Sequence, residues 1–401
     1  MRRLTALSAA AVLALSACGD AQPSEPASEP ASSEAPSGET SEAAPEPQTS
    51  TEETQASETA EQAVTEFTTA EHGEFNEGWA MEFLPDGKHL LITERVGTLK
   101  IRNQESGEVR EISGVPEVHH EGQAGLHDVV LGPTFEEDGT IYLSWVSPEG
   151  KPHGVVGTAT LDVEGAAISE LKEIWQQDEV DGNGHFSLRM LIQGDHLHLT
   201  SGDRQKFDPA QDHGTNLGKV LRLNLDGTPA TDNPFDVEGA EASFFTIGHR
   251  NPLGIAADSQ GQIWVSEMGP KGGDELNLIV PGQNYGWPEA SMGEHYDGAP
   301  ITDHAEGDGF EAPKAYWVPS ISPGSLEIYS GDLFTGWQDS ALLGGLSGET
   351  LVRVALDGDK AEIVDDWDMG ARIRAVEEAP DGSIWLLEDE AGGRLLELRP
   401  A

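Results

Sequence analysis

A two-strand unit recurs six times along this chain, and that recurrence limits the possible folds more than any other feature of the sequence. Each copy is an apolar-alternating segment, a turn carrying Asp or Gly, and a second apolar segment. The first copy is GWAMEFLPDGKHLLITER, turning at Pro85-Asp86-Gly87, and the second is LHDVVLGPTFEEDGTIYLSWV, whose turn ends at Gly139. FSLRMLIQGDHLHLTSGDR turns at Gly194-Asp195 and PLGIAADSQGQIWVSEMG at Gly261. The fifth copy, opening with SLEIYS, has a longer connection, and the sixth, IRAVEEAPDGSIWLLEDE, turns at Pro380-Asp381-Gly382. Copies about 50 to 75 residues apart leave room for four short strands each, the length of a propeller blade. A sandwich does not need the motif to recur. The expected fold is all-β: a six-bladed β-propeller of four-stranded antiparallel blades around a central channel, using residues 67–401 with no second folded domain. Function then belongs at one mouth of the channel, where loops of different blades converge.

The first 18 residues read as an address rather than as structure. Arg2 and Arg3 precede an apolar segment from Leu4 to Leu15 and small residues before Cys18, the pattern of an export signal. Leu15-Ser16-Ala17-Cys18 resembles a bacterial lipobox, and Cys18 is the only cysteine in the chain, so lipidation accounts for it better than a stray core thiol. The protein is expected to be exported and held at the membrane by an N-terminal lipid anchor, on the periplasmic side of the cell envelope. No other stretch is apolar enough to span a bilayer. Residues 19–66 are Ser, Glu, Ala, Pro, Thr and Gln with almost no large apolar side chain, an acidic tether unable to bury enough surface to fold. The whole chain carries 23 basic and 72 acidic residues; beyond signal and tether the balance is 21 against 60, about −39. A surface that anionic repels nucleic acid and fits a saline habitat, where the repulsion is screened.

Between turn signals, residues 248–288 concentrate charged, amide and aromatic side chains. Pro252 makes a turn of His249-Arg250-Asn251, so a loop presents Arg250 and Asn251. The segment Gly269-Pro270-Lys271-Gly272-Gly273 is poor in side chains and amide hydrogens and leaves carbonyl oxygens for a hard cation, with Asp274 and Glu275 directly after it. Gln123 lies between glycines in Glu121-Gly122-Gln123-Ala124-Gly125; alone, such a glutamine is more often a turn residue than a ligand. His185 follows the flexible run Asp181-Gly182-Asn183-Gly184, free to project into the channel as a general base. Arg372 and Arg374 alternate at the start of the sixth unit, on one face of a strand. Two guanidinium groups there need an anion between them, supplied either by the chain's own acids or by a polycarboxylate ligand.

Taken in order, EGQAGLHDVVLGPTF, GHFSLRMLI, TSGDR, LGKVLRLNLDG, DNPF, GHRNP, EMGPKGGDELNLI, NYGWP, YWVPSISP and RIRAV resemble the soluble glucose/sorbosone dehydrogenase family, in its aldose sugar dehydrogenase branch, from about Gly78 to Pro400. The resemblance implies an enzyme using pyrroloquinoline quinone (PQQ) and calcium at the channel mouth to oxidise aldoses at the anomeric carbon to lactones. It implies His185 as general base and Gln123, Arg250, Asn251, Ser320, Arg372 and Arg374 as cofactor-binding residues. Calcium would take the carbonyls of Gly269 and Pro270; Glu275 and the Tyr285 backbone would hold a second, structural calcium. The implied partners are an aldose substrate and an electron acceptor, a quinone or a redox protein, with the chain a monomer or homodimer. The pattern departs from the glucose-oxidising relatives in three places: Ser347 stands where they carry a lysine facing the cofactor, and Val318 and Ser320 stand for a tryptophan and a threonine. Two other functions fit the residues, a calcium-dependent lactone hydrolase on a six-bladed propeller and a tethered binding module without catalysis. The arginine pair separates the hydrolase from the dehydrogenase, since a neutral lactone does not need it, and the binding module implies PQQ affinity too weak to detect and no loss of function in His185→Ala.

Overall fold

The computed structural model describes residues 66–235 and 241–401. The readings of residues 1–18 as a signal with lipobox Cys18, and of the tether up to Thr65, lie outside the described residues. Twenty-four strands form six separate four-stranded antiparallel sheets. Among the described residues the only helices are one turn at Phe135–Asp138 and a 3-10 turn at Asp208–Ala210. This is the expected six-bladed β-propeller.

Each recurring unit of the sequence is the inner hairpin of one blade. The innermost strands are Gly78–Phe83, Leu126–Leu131, Ser187–Gln193, Pro252–Ala257, Glu327–Tyr329 and Ile373–Glu378. Each packs beside the next, and the last beside the first, so the ring closes. Closure also uses the N-terminal strand Phe67–Asn76, which pairs with Ala391–Pro400 and completes the sixth blade, Phe67 opposite Pro400. Six apolar clusters fill the six seams between blades. One joins Leu91, Leu99 and Ile101 to Leu126, Leu143 and Trp145; another joins Met81, Leu90 and Ile92 to Trp385, Leu387 and Leu395. Because every blade is covered on both faces, both sets of alternating side chains in its inner strands are apolar.

The inner strands are not regular. The register shifts within the first four residues of five of them: at Gly78/Ala80, Leu126/Val129, Ser187/Met190, Pro252/Gly254 and Ile373/Ala375. A bulge re-aims the extra residue and breaks the two-residue alternation. Here the extra residues are Trp79, His127 and Asp128, Leu188 and Arg189, Leu253, and Arg374. Arg189, thrown onto the channel axis in this way, donates through Nη1 to Asp128 Oδ1 (3.2 Å), through Nη2 to the carbonyls of Trp79 (3.1 Å) and Gly324 (2.9 Å), and through Nε to Leu253 O (3.0 Å). One buried side chain thus ties its own blade to segments of four others.

Removing one member of a buried ionic network leaves the rest uncompensated. The variant Arg189→Ala is expected to lose about 3–5 kcal/mol of stability in denaturant unfolding monitored by tryptophan fluorescence.

Candidate active site

His185 stands at the entrance to the third inner hairpin, in strained backbone. His185, Ser187 and Leu188 have φ of 50°, 62° and 67°, which non-glycine residues seldom adopt unless the surroundings hold them there. The His185 amide donates to Gln123 Oε1 (2.6 Å), and the Gln123 amide donates in turn to Asn183 O (2.7 Å). Gly122 permits this contact: a Cβ on it would lie 2.6 Å from the same Asn183 oxygen. The imidazole is buried, with Nδ1 2.6 Å from Asp203 Oδ1. The other oxygen of Asp203 accepts the indole Nε1–H of Trp287 (2.8 Å), and Oδ1 also accepts the Gln205 amide (2.8 Å). Burial alone would raise the Asp203 carboxyl, but its hydrogen bond to His185 and the charges of His185 and Arg250 hold it below the ordinary range. An ionised carboxylate only accepts, so Nδ1 carries the proton and Nε2 the lone pair. Nε2 has no hydrogen-bond partner among the described residues. Burial lowers the His185 pKa below its ordinary value, Asp203 opposes that, and Arg250 and Arg204 add to it, so the ring is a neutral base near pH 7.

Arg250 and Asn251 occupy the loop before the fourth inner hairpin. The Arg250 amide donates to Glu267 Oε2 (2.7 Å), and its Nη1 donates to the carbonyls of Met268 (2.9 Å) and Gly269 (2.6 Å). The Gly269 carbonyl is therefore not left free as the sequence implied; its second lone pair remains for a cation. Pro270 and Gly272 line the adjoining cleft. Asn251 accepts from Ser187 Oγ (3.1 Å) and faces Met268 Sδ (3.6 Å). The Arg250 carbonyl accepts the Asp203 amide (2.8 Å), which locks this loop to the His185 partner.

Arg372 and Arg374 do converge, though for a different reason than strand alternation. Arg374 is the bulged residue of its strand, and the anion between the two is the chain's own Asp389: Oδ2 lies 3.0 Å from Arg372 Nη2 and 3.3 Å from Arg374 Nη2. A second carboxylate, Glu390, stands 3.7 Å from Arg372 Nε on the exposed side, which leaves Arg374 with only its share of Asp389. Arg374 is buried with its guanidinium 4.2 Å from the Trp79 ring, and burial, opposed by Asp389, brings its pKa down to about 10. Trp79 stacks on His127 (4.3 Å, 11°), a ring that burial keeps neutral by lowering its pKa to about 3. His127 Nε2 meets Gln123 O at 2.9 Å, so contacts run without a gap from the arginine pair to His185.

A cleft of 940 Å³ opens beside this set, lined by Pro270, Ser320, Val318 and Ser347 among others. Ser320 Oγ donates to Asp274 Oδ2 (2.7 Å), and Ser347 Oγ meets Ser322 Oγ (2.8 Å), so the three departures from the glucose-oxidising pattern share this one cleft. Glu275 is buried, and its pKa is pushed up by burial and by the Glu267 charge. Asn277 Nδ2 donates to it (3.0 Å), while His304 Nε2 lies 3.8 Å away. The Tyr285 ring stacks on His249 (4.6 Å), and its hydroxyl donates to Leu278 O (2.6 Å). Among the described residues no three His, Cys, Asp or Glu side chains converge on one point, so a cation here would depend on backbone oxygens.

Nine buried side-chain nitrogen and oxygen atoms lack a partner among the described residues, and six of them fall in this region. Trp79 Nε1, Arg250 Nε and Arg374 Nε are donors around the channel mouth; Asn277 Oδ1 and both His304 nitrogens lie near Glu275. Unsatisfied groups are rare enough in folded proteins that such a cluster calls for a ligand. Asp203, Trp287, Glu267 and Asp389 were missed in the sequence, although arithmetic could have found two of them. With the third turn at Gly194, counting outward places 203 opposite 185, and counting from Asp381 places 389 opposite 372 or 373. Trp287 gave no such signal.

Residues 75–397 match the model of the family described as Glucose / Sorbosone dehydrogenase. The chain is 36% identical over 335 residues to aldose sugar dehydrogenase YliI of Escherichia coli (strain K12), covering 80% of this chain and 90% of that one. Its fold superposes on the crystal structure of the soluble aldose sugar dehydrogenase of Escherichia coli in the apo form with a TM-score of 0.80, at 33% identity, covering 84% of this chain and all of the other. It also superposes on the PQQ-bound form of an aldose sugar dehydrogenase from Streptomyces coelicolor with a TM-score of 0.71, at 28% identity, covering 84% and 99% of the two chains.

In an NMR titration the His185 ring is expected to take up its proton below the ordinary histidine value of about 6.5. Replacing Asp203 by Asn removes the charge that opposes burial, so the midpoint should fall further; a rise would contradict the assigned pair.

Proposed function

Because this chain belongs to the glucose/sorbosone dehydrogenase family, we propose that it oxidises aldose sugars at the anomeric carbon to lactones, with PQQ and calcium as cofactors. The observation that carries the reading is the meeting of an oriented neutral base, His185, with cationic and indole N–H donor atoms that have no partner among the described residues.

The residues present fit such a cofactor. Arg374 and Arg372 share Asp389, and Arg374 Nε, Arg250 Nε and Trp79 Nε1 are left as donors for a flat anion. Gln123, Asn251 and Ser320 would add polar contacts. The carbonyls of Gly269 and Pro270 form an all-oxygen donor set, which suits calcium rather than a softer metal. Glu275 and the Tyr285 carbonyl would hold a second calcium, whose charge would relieve the repulsion between Glu275 and Glu267. PQQ, when bound with calcium as Lewis acid, supplies the two-electron acceptor for the hydride from C1.

The chain's own part is proton transfer and orientation. His185 Nε2 takes the proton of the anomeric hydroxyl as that hydride leaves, which converts the hemiacetal to the lactone. Asp203 keeps the opposite nitrogen protonated and stabilises the imidazolium that forms, and Trp287 holds the second carboxylate oxygen so that Asp203 cannot turn away. Gln123 fixes the backbone of His185 through its amide. Electrons then pass to an external quinone or redox protein.

At its N-terminus the protein is proposed to be a lipoprotein of the cell envelope, on the strength of Leu15-Ser16-Ala17-Cys18 and the absence of other cysteines. Incorporation of labelled palmitate, lost in Cys18→Ser, is the expected behaviour.

Purified protein given PQQ and calcium should reduce a redox dye with aldoses, and activity with none of them would defeat the proposal. The His185→Ala variant should lose about 10²–10⁴-fold in kcat while still binding PQQ. In the wild type, kcat/KM should hold its plateau down to a pH below about 6.5, because the base stays neutral until its lowered pKa is reached.

A further inference from the structure

The cleft beside the Gly-Pro-Lys-Gly-Gly loop, reached by Arg250 through Tyr296, has a buried floor and an exposed rim that differ in chemistry. Pro270, Gly272, Gly293 and Ile301 are buried, and the rim carries the side chains of Tyr296, Val318 and Glu294. Tyr296 is 74% exposed and Val318 62% exposed, unusual for large apolar groups at a site that must stay soluble.

Tyr296 sits at the tip of an excursion that the fold pins firmly. Its base is tied by the Ser291 amide donating to Thr302 O (3.0 Å), and its tip by the His295 amide donating to Ala299 O (3.0 Å). Midway, Lys271 and Glu294 exchange backbone hydrogen bonds of 3.0 and 3.2 Å, which fastens the excursion to the Gly-Pro-Lys-Gly-Gly loop. The Tyr296 ring lies 5.8 Å from the Arg250 guanidinium, and its hydroxyl accepts from Arg250 Nη2 (3.4 Å). A second aromatic reaches the same place from another blade. Phe207, 42% exposed and held at φ 63°, approaches Trp287 (5.5 Å) and His295 (6.0 Å), on the loop that also carries Asp203. A bulky residue held at positive φ, packed on one side and open to water on the other, has a free ring edge to offer a ligand.

Resting on the aldose reading above, we infer that Tyr296, with Phe207 beside it, forms an aromatic lip that receives the apolar face of a neutral pyranose and presents its anomeric carbon to His185. An aromatic ring matches the C–H face of a sugar, and Ser320, Ser322 and Ser347 across the cleft match its hydroxyl edge. Glu294 and Asp303 also line the cleft, and its one cation, Lys271, is already paired with Glu294 (3.4 Å). Sugar phosphates and uronates are therefore disfavoured against neutral aldoses.

The test uses the full protein loaded with PQQ and calcium, with glucose and glucose 6-phosphate as substrates. Loss of one stacked ring should raise KM for glucose about tenfold in Tyr296→Ala with kcat within about twofold. Phe207→Ala should act in the same direction, and Tyr296→Phe should restore KM. PQQ affinity, read by absorbance titration, should not move. Glucose 6-phosphate should show a KM at least about tenfold above that of glucose. An unchanged KM in Tyr296→Ala, a KM rise that tracks lost PQQ affinity, or equal KM values for the two substrates would overturn the inference. Calorimetric binding of a non-oxidisable methyl glucoside separates this from the activity itself. If the wild type oxidises no aldose yet binds the glucoside and Tyr296→Ala does not, the lip stands and the dehydrogenase reading falls.

Discussion

The site depends on the register of the inner hairpins. In a hairpin the residue before the first strand and the residue after the second are neighbours whatever the loop between them, so an inner hairpin delivers two side chains together at the channel mouth. Three blades use that position for a pair of opposite charge or a hydrogen-bonded acid and base: Glu77 with Arg95, His185 with Asp203, and Arg372 with Asp389; in the fourth blade Glu267, opposite Pro252, instead holds the Arg250 amide. The ring of blades then gathers the pairs. Shifting one hairpin by a single residue would turn its members away from the channel and undo its share of the site. The bulges add what strict alternation cannot, directing Trp79, His127, Arg189 and Arg374 inward from strands whose other residues are committed to packing.

Charge within the mouth is arranged against the character of the whole chain. A protein with 72 acidic residues and 23 basic ones places four arginines, at 189, 250, 372 and 374, around one channel, with Asp128 and Asp389 buried beside them and Glu390 at the exposed edge of Arg372. The buried guanidinium groups of Arg189 and Arg250 have a desolvation cost that the carbonyls of Trp79, Leu253, Met268, Gly269 and Gly324 offset. Six of the nine unsatisfied buried atoms among the described residues lie around the channel mouth and near Glu275, where a ligand would complete them. Asp203 follows the same economy: one oxygen orients the base, the other is tied down by Trp287, and no part of the carboxylate is left to compete for the proton.

How much of this could be read in the sequence follows from the physics of each part. The inner hairpins were legible because burial on both faces makes them apolar and their turns demand Asp or Gly; the outer strands, half in solvent, left no recurring signature. The strand Phe67–Asn76, with one buried residue in ten, falls inside the expected 67–401 domain but carries no copy of the recurring unit, so its role in closing the ring left no signal. Gln123, His185, Arg250 and Asn251 were legible because turn residues isolate them. The arginine pair was found by an alternation that the bulge at Arg374 breaks, and its counter-ion, Asp389, was overlooked because it belongs to the far end of the same hairpin. Trp287 was legible only as part of a motif, since its contact with Asp203 crosses 84 residues and no local pattern reports it.

The central claim is that separate hairpin ends form one cradle for a flat anion, a divalent ion and a sugar. A crystal structure of the protein loaded with PQQ, calcium and an aldose tests it most directly. The account predicts PQQ between Arg374 and Arg250, calcium on the Gly269 and Pro270 carbonyls, and the anomeric oxygen within hydrogen-bond reach of His185 Nε2. PQQ bound away from the channel mouth, or a sugar whose anomeric carbon faces away from His185, would contradict it.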